Sequence, residues 1–270
     1  MNNPTLKQIS DLNLLLHRLH HVKVAVSGGV DSMTLALLAG RALGRQATIF
    51  HAVSHAVPDD STNRVREVGK HEGWQLEFVD AGEFQNSNYV SNPYNRCFHC
   101  KSSLYSTLAS HMEGTILSGT NMDDLSDYRP GLKAAENFDV IHPFVECGID
   151  KSAIRRICHH LGYDEIAELP ASPCLSSRIE TGLTIKPEQL VFVHRVERKL
   201  HSALKPKAVR CRIRHEGIAV ELDTETLSSL TKDSTRLWTN TIAHLAAQQG
   251  LSNTILIEPY RMGSAFVQTT

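Results

Sequence analysis

The stretch that most constrains this chain is Val22-Lys-Val-Ala-Val26, which runs directly into Ser27-Gly-Gly-Val-Asp-Ser32. The first part reads as a short buried strand, and Met33 to Leu43 reads as a helix. Glycines between a strand end and a helix start let the backbone turn without a Cβ clash and approach a ligand closely. A strand followed at once by a helix also fits a sheet whose strands are joined by helical crossovers.

The rest of the first half repeats the alternation. A helix is expected over residues 5–19, with Leu6, Ile9, Leu12, Leu16 and Leu19 on one face. Strands are expected at 47–53, 76–79, 115–117 and 140–141, and helices at 59–72, 99–112 and 151–161. This pattern predicts an α/β fold with a doubly wound, mostly parallel sheet, in which ligands sit beyond the carboxyl ends of the strands. Residues 169–185 lose the periodicity and hold Pro170, Pro173 and Gly182, the marks of a functional loop. Beyond them, a helix at 187–200, a hairpin of 209–214 and 218–222, a helix near 234–248 and a strand at 254–258 predict a smaller α+β unit. The expected organisation is therefore a first domain over 1–168, a loop over 169–185 and a C-terminal domain over 186–270.

Composition narrows the class. The chain has 270 residues, 41% of them hydrophobic, and a net charge of −1. That is enough apolar material for a core, and no whole-chain field attracts nucleic acid. No apolar run approaches the roughly 20 residues of a membrane span, and the N-terminal sequence lacks a secretory pattern. The cytoplasm is the expected compartment, so the six cysteines read as thiols or metal ligands rather than a disulfide framework.

Ser27, Gly28, Gly29, Val30, Asp31 and Ser32 place helix N-terminal N–H groups where they face a phosphate. Asp31 is a candidate for a Mg²⁺-linked carboxylate, since ATP arrives with that ion. The sequence is neither the Walker loop, which needs a following Lys-Ser/Thr, nor the dinucleotide Gly-x-Gly-x-x-Gly. Gly119, Asn121, Asp123 and Asp124 follow another strand end, where they could bind nucleotide or Mg²⁺ or simply cap a helix.

Cys97-Phe-His-Cys100 has metal-ligand spacing. Cys174, in Ser172-Pro-Cys-Leu-Ser-Ser-Arg178, lies in the aperiodic loop near a cation, an environment that favours a thiolate. Cys147, Cys158 and Cys211 read as small buried hydrophobes. Cys97, Cys100 and Cys174 together could hold an iron–sulfur cluster with one open iron, or a structural zinc with a further ligand, or be unrelated thiols. Arg210 and Arg212 alternate on one strand face, continued by Arg214, and suit a phosphate or a solvated surface equally. Glu197 is a candidate positioning group or base, and Arg178 a candidate partner for a carboxylate or phosphate. His51 and His55 lack the pattern of a zinc protease and receive no metal role.

The loop SGGVDS resembles the PP-motif of the ATP pyrophosphatases, which include NAD and GMP synthetases, argininosuccinate synthase and tRNA-thiolating enzymes. Further stretches extend the likeness: Asn92-Pro-Tyr-Asn-Arg-Cys-Phe-His-Cys-Lys101, Gly119-Thr-Asn-Met-Asp-Asp124, Asp127-Tyr-Arg-Pro-Gly131, Pro143 to Lys151, Pro173-Cys-Leu-Ser-Ser-Arg-Ile179, Val209-Arg-Cys-Arg212 and Tyr260-Arg-Met-Gly-Ser264. With these, nearly the whole chain is similar to the LarE family, ATP-dependent sulfur transferases of nickel-pincer cofactor synthesis. The resemblance implies a HUP-like first domain and cleavage of ATP between the α and β phosphates. It implies a small mononucleotide substrate, pyridinium-3,5-biscarboxylic acid mononucleotide, whose carboxylate is adenylated. Sulfur then comes either from Cys174, left as dehydroalanine, or from a sulfide on a [4Fe–4S] cluster held by Cys97, Cys100 and Cys174. It also implies substrate binding by Arg178, Arg210 and Arg212, Mg²⁺ at Asp31 and Asp124, and a homo-oligomer. The family usually has Arg-Ile-Pro-Tyr-Gly where this chain has Arg178-Ile-Glu-Thr-Gly182, which removes an aromatic contact. A tRNA thiolase, an amidotransferring synthetase and a nucleotide-binding sensor are the competing readings. The first would want a broad basic surface, the second would make Cys174 dispensable, and the third would bind nucleotide without releasing pyrophosphate.

Overall fold

The computed structural model describes residues 4–126, 129–252 and 254–266. The chain forms two compact units, residues 1–86 with 97–172 and residues 87–96 with 173–270. A short segment just before the Cys97–Cys100 pair thus belongs to the second unit, a feature absent from the boundaries expected at 168 and 186.

The first unit is α/β. Its strands β1 (Val22–Val26), β2 (Ala47–Ala52), β3 (Gln75–Val79) and β4 (Thr115–Ser118) form one parallel sheet in the order β3-β2-β1-β4. Every residue of β1 is buried, as expected of a central strand covered on both faces. On one face lie α1 (Pro4–Leu19), α2 (Val30–Leu43), α3 (Asp59–Glu72) and, after β4, a helix Lys151–His160. They contribute Leu12, Leu16, Met33, Leu35, Leu37, Val65, Ile154 and Ile157 to one core. On the other face, Tyr105 and Leu108 of α4 (Arg96–Ser110) pack with Ala25, Phe50 and Ile116. The helix after β4 is α5.

Lys23 sits in this buried strand at 4% exposure. Its Nζ donates to Leu108 O at 2.9 Å and Met112 O at 3.0 Å. A lysine is tolerated because its apolar stem lies in the core while its charge reaches the carbonyl end of α4. The strand expected at 140–141 is instead one parallel bridge, Leu117 to Ile141. Ile141 lies between Ile116 and Ser118 through two backbone bonds, and the helix starting at Pro143 ends the extended run.

The second unit is smaller and α+β. Strands β5 (Val209–Arg214) and β6 (Gly217–Leu222) pair antiparallel, and β7 (Ile255–Pro259) joins β6 in parallel. Helix α6 (Pro187–Leu204) packs on β5, and α7 (Lys232–Ala247) packs on β7. Cys211 is fully buried in β5 and Cys158 in α5, and burial pushes both thiols up. No helix of the described residues is long and apolar enough to cross a membrane.

In the first unit, Arg41 grips Glu72 through two bonds of 2.8 and 2.7 Å, and Tyr163 donates to the same carboxylate at 2.7 Å. The Arg41 guanidinium holds the Glu72 carboxyl down at about 2. A carboxylate held below its unfolded range, about 4.3, adds stability above that range and loses it as pH falls towards 2. The melting-temperature gap between wild type and Glu72→Gln is therefore expected to be widest above about pH 5. It should close as the buffer is taken towards pH 2; a gap that does not change with pH contradicts this.

Candidate functional site

The loop after β1 is knitted by its own serines. Ser32 Oγ accepts from Ser27 N at 3.0 Å and donates to Gly29 O at 3.1 Å, while Ser27 Oγ lies 3.0 Å away. Gly28 has φ of 86°, and a Cβ there would stand 2.9 Å from both Cβ and O of Ser61. Gly29 caps α2 in an extended conformation and offers no side chain to the first turn. The leading N–H groups of a helix lack intrahelical partners, so this end is a ready anion site.

Three elements fix that end in place. From β4, Gly119 approaches so closely that a Cβ would lie 2.8 Å from Ser32 N and 2.9 Å from Asp31 C. From α3, Arg64 Nη1 donates to Gly28 O at 2.8 Å. From β2, the fully buried His51 lies 2.9 Å from Val26 O and 2.9 Å from Thr62 Oγ1. A carbonyl only accepts, so His51 Nδ1 carries the proton and Nε2 accepts from Thr62. Burial lowers the imidazole's pKa and keeps this neutral form.

Asp31, in the first turn of α2, pairs with Lys151 at the start of α5. Lys151 is placed by the N-cap Asp150, which accepts from Ala153 N at 2.7 Å, and its own N–H donates to Asp123 at 3.1 Å. Burial raises the Asp31 carboxyl, the Lys151 ammonium opposes that, and the nearby Asp124 charge adds to the rise. Asp31 Oδ1 is buried without a hydrogen-bond partner among the described residues. Asp124 is already engaged, with Arg129 at 2.7 Å and Asn121 N at 3.1 Å. Asn121 is 2% exposed and accepts from Asp123 N. Asp127 and Tyr128 of the same motif lie outside the described residues. The unpartnered oxygen of Asp31 beside a second carboxylate fits a Mg²⁺ that takes one or two carboxylates together with phosphate oxygens.

In the second unit, Cys174 is exposed and caps the short 3₁₀ turn Leu175–Arg178. Arg178, 2% exposed, directs Nε and Nη2 to the two Glu197 oxygens at 2.9 Å each. Its Nη1 donates to Pro173 O at 2.8 Å, Cys174 O at 3.2 Å and Ser177 Oγ at 2.9 Å. Glu197 also accepts from Cys211 N at 2.9 Å. Arg212 is buried against Glu221, 2.9 Å away, and donates to Ser177 O and Arg261 O. Arg214 bridges Glu221 and Glu258 at 2.7 and 2.8 Å. Arg210 lies over the Tyr260 ring and donates to Val209 O. Cys97 and Cys100 are half-buried on α4.

No family model matches the chain. It is 34% identical over 233 residues to the uncharacterized protein slr1717 of Synechocystis sp., covering 84% of this chain and 85% of that one. The chain belongs to the slr1717 family. It is also 27% identical over 212 residues to pyridinium-3,5-bisthiocarboxylic acid mononucleotide synthase of Lactiplantibacillus plantarum, covering 77% of this chain and 76% of that one. A component of the glutamine-hydrolyzing GMP synthase of Methanopyrus kandleri is 27% identical over 187 residues, 63% of this chain and 59% of that one.

In this member of the slr1717 family, three residues expected at the substrate have protein partners. Arg178 and Glu197 pair with each other, and Arg178 anchors the backbone on either side of Cys174. Arg212 is likewise committed, to the fully buried Glu221. Sequence reading missed Lys151, Arg64, His51 and Glu221, each of which acts through a partner distant in sequence. The Asp150–Lys151 start of α5, an N-cap before an apolar helix, was the one local signal available. Gly119→Ala is expected to displace the α2 N-terminus and weaken ATP binding at least tenfold, about 1.4 kcal/mol, by isothermal titration. Unchanged affinity would mean that the loop has room for the added methyl. Glu197→Ala leaves the Arg178 charge buried without its counterion, a change that costs about 3–5 kcal/mol. Denaturant unfolding of the second unit reads that loss.

Proposed function

We propose that the chain is an ATP-dependent sulfur transferase that adenylates a carboxylate of a pyridinium mononucleotide and replaces its oxygen with sulfur. The observation that carries this reading is the α2 N-terminus, which has no side-chain cap and is flanked by the Asp31–Lys151 pair. The similarity to a synthase named for a pyridinium-3,5-bisthiocarboxylic acid mononucleotide supports the choice of substrate class. The N–H groups of α2 bind the β and γ phosphates, and Lys151 adds positive charge beside them. Bound at Asp31 and Asp124, Mg²⁺ would neutralise phosphate oxygens. The substrate carboxylate attacks the α phosphorus, pyrophosphate leaves, and the acyl adenylate carries AMP as its leaving group.

The thiolate of Cys174 then attacks the acyl carbon and expels AMP, giving a thioester. Removal of the Cα proton of residue 174 breaks its Cβ–S bond. The sulfur and its electron pair leave with the product as a thiocarboxylate, and dehydroalanine remains in the protein. Arg178 holds the carbonyls of Pro173 and Cys174 and so presents the thiol. The competing sulfur source is a sulfide on a [4Fe–4S] cluster that Cys97, Cys100 and Cys174 would hold.

Mass spectrometry of the protein after reaction with ATP, Mg²⁺ and the biscarboxylate mononucleotide tests this reading. Residue 174 should lose about 34 Da, the mass of H₂S, as thiocarboxylate appears. Cys174→Ala should still release pyrophosphate but form no thiocarboxylate. Product formation with Cys174 intact contradicts the sacrificial route. Incorporation of ammonia instead of sulfur would favour an amidotransferring synthetase, the reaction type suggested by the GMP synthase relative.

A further inference from the structure

Arg96 is the largest fully buried side chain in the protein's described residues, at 1% exposure. Arginine is almost never buried to this degree without a counter-charge. Arg178 and Arg212 of the same unit obey that rule, each facing a buried glutamate. Arg96 does not. Its Nη1 donates to Asn92 Oδ1 at 2.8 Å, while its Nε and Nη2 have no hydrogen-bond partner among the described residues.

The two unused groups lie on one edge of the guanidinium. That edge is the fork that meets a carboxylate or phosphate with two parallel N–H···O bonds. Its orientation is fixed. The Asn92 amide, itself 0% exposed, donates to Glu180 O at 2.8 Å and Ile179 O at 3.4 Å, and Asn92 O accepts from Gly182 N at 3.0 Å. The Phe266 ring stacks on the guanidinium with 4.1 Å from the carbon to the ring centre. Stacking covers a face of the cation and leaves its in-plane donors unused. A charged fork, held rigidly and lacking an acceptor, is preorganised for an oxyanion.

We infer that Arg96 is a binding residue for an oxyanion group, carboxylate or phosphate, of the substrate, taken bidentately on its Nε–Nη2 edge. The identity of that substrate as a mononucleotide rests on the function proposed above. The anion site itself rests on Arg96, Asn92 and Phe266. Arg178 differs in that its fork is occupied by Glu197, and Arg212 in that its charge is paired with Glu221.

Binding in the absence of ATP tests the inference apart from the chemistry. Isothermal titration of wild type, Arg96→Met and Arg96→Lys with nicotinic acid mononucleotide, ribose 5-phosphate and pyridine-3,5-dicarboxylate separates the two sources of oxyanion. Wild type should bind the mononucleotide, and both variants should bind it at least tenfold more weakly. A matching loss for ribose 5-phosphate assigns the phosphate to Arg96; a matching loss for the dicarboxylate assigns the carboxylate. Arg96→Met removes a buried charge, so its melting temperature without ligand should equal or exceed that of wild type. If it fails to fold, Arg96→Lys, which keeps the charge but not the fork, decides the question. Equal affinities in wild type and Arg96→Lys, or no binding of any probe to wild type, overturn the inference. Arg96-dependent binding without pyrophosphate release on adding ATP would sink the proposed function and leave this site standing. Normal turnover with Arg96-independent binding would do the reverse.

Discussion

Everything in the first unit depends on the absence of side-chain atoms at two points around the start of α2. Gly28 lies against Ser61, and Gly119 lies against the backbone of Asp31 and Ser32, at distances no Cβ could occupy. The parallel placement of β1 between β2 and β4 makes these approaches possible, because the loops leaving β1 and β4 emerge at the same sheet end. Arg64, His51 and Lys151 then complete a frame around a helix end that carries no cap of its own. The site is polar and strained for space, yet its supports are rigid strands and helices rather than flexible loops.

The second unit solves a different problem, that of holding an exposed thiol on an irregular segment. Residues 173–178 have few backbone partners of their own, and the Arg178 side chain supplies them from inside. Burying that arginine requires Glu197, and the Glu197 carboxylate is in turn fixed by Cys211 N of β5. A buried pair of this kind adds little net stability over apolar residues, but removing either partner is costly. Its effect is to give the cysteine loop one conformation. Arg212 and Glu221 repeat the device one strand further in, where Arg212 also reaches Ser177 O.

The repeating elements were legible because period and burial coincide. All five residues of β1 are buried, and α1 places Leu12 and Leu16 in the core as their spacing predicts. The SGGVDS turn was readable for the same reason: glycine, serine and helix start are local chemistry. What escaped reading was pairing between distant residues. An arginine stripe at 210, 212 and 214 looks basic until register sets Glu221 opposite Arg210 and within reach of Arg212 and Arg214. Lys151 is an ordinary first helical residue until the fold brings it to Asp31, 120 positions away in the chain. The segment 87–96 looked like part of a connection, and only its bonds to 176, 179, 180, 182 and 185 show that it belongs to the second unit.

The central claim is that ATP is split at the α2 N-terminus to place AMP on a substrate carboxylate. The most direct measurement uses a pyridinium dicarboxylate mononucleotide labelled with heavy oxygen in its carboxyl groups, with the AMP product analysed by mass. Adenylation followed by sulfur attack leaves one carboxylate oxygen on the phosphate of AMP, so labelled AMP should accumulate in step with thiocarboxylate. Unlabelled AMP, or label in inorganic phosphate with ADP as the product, would contradict the account.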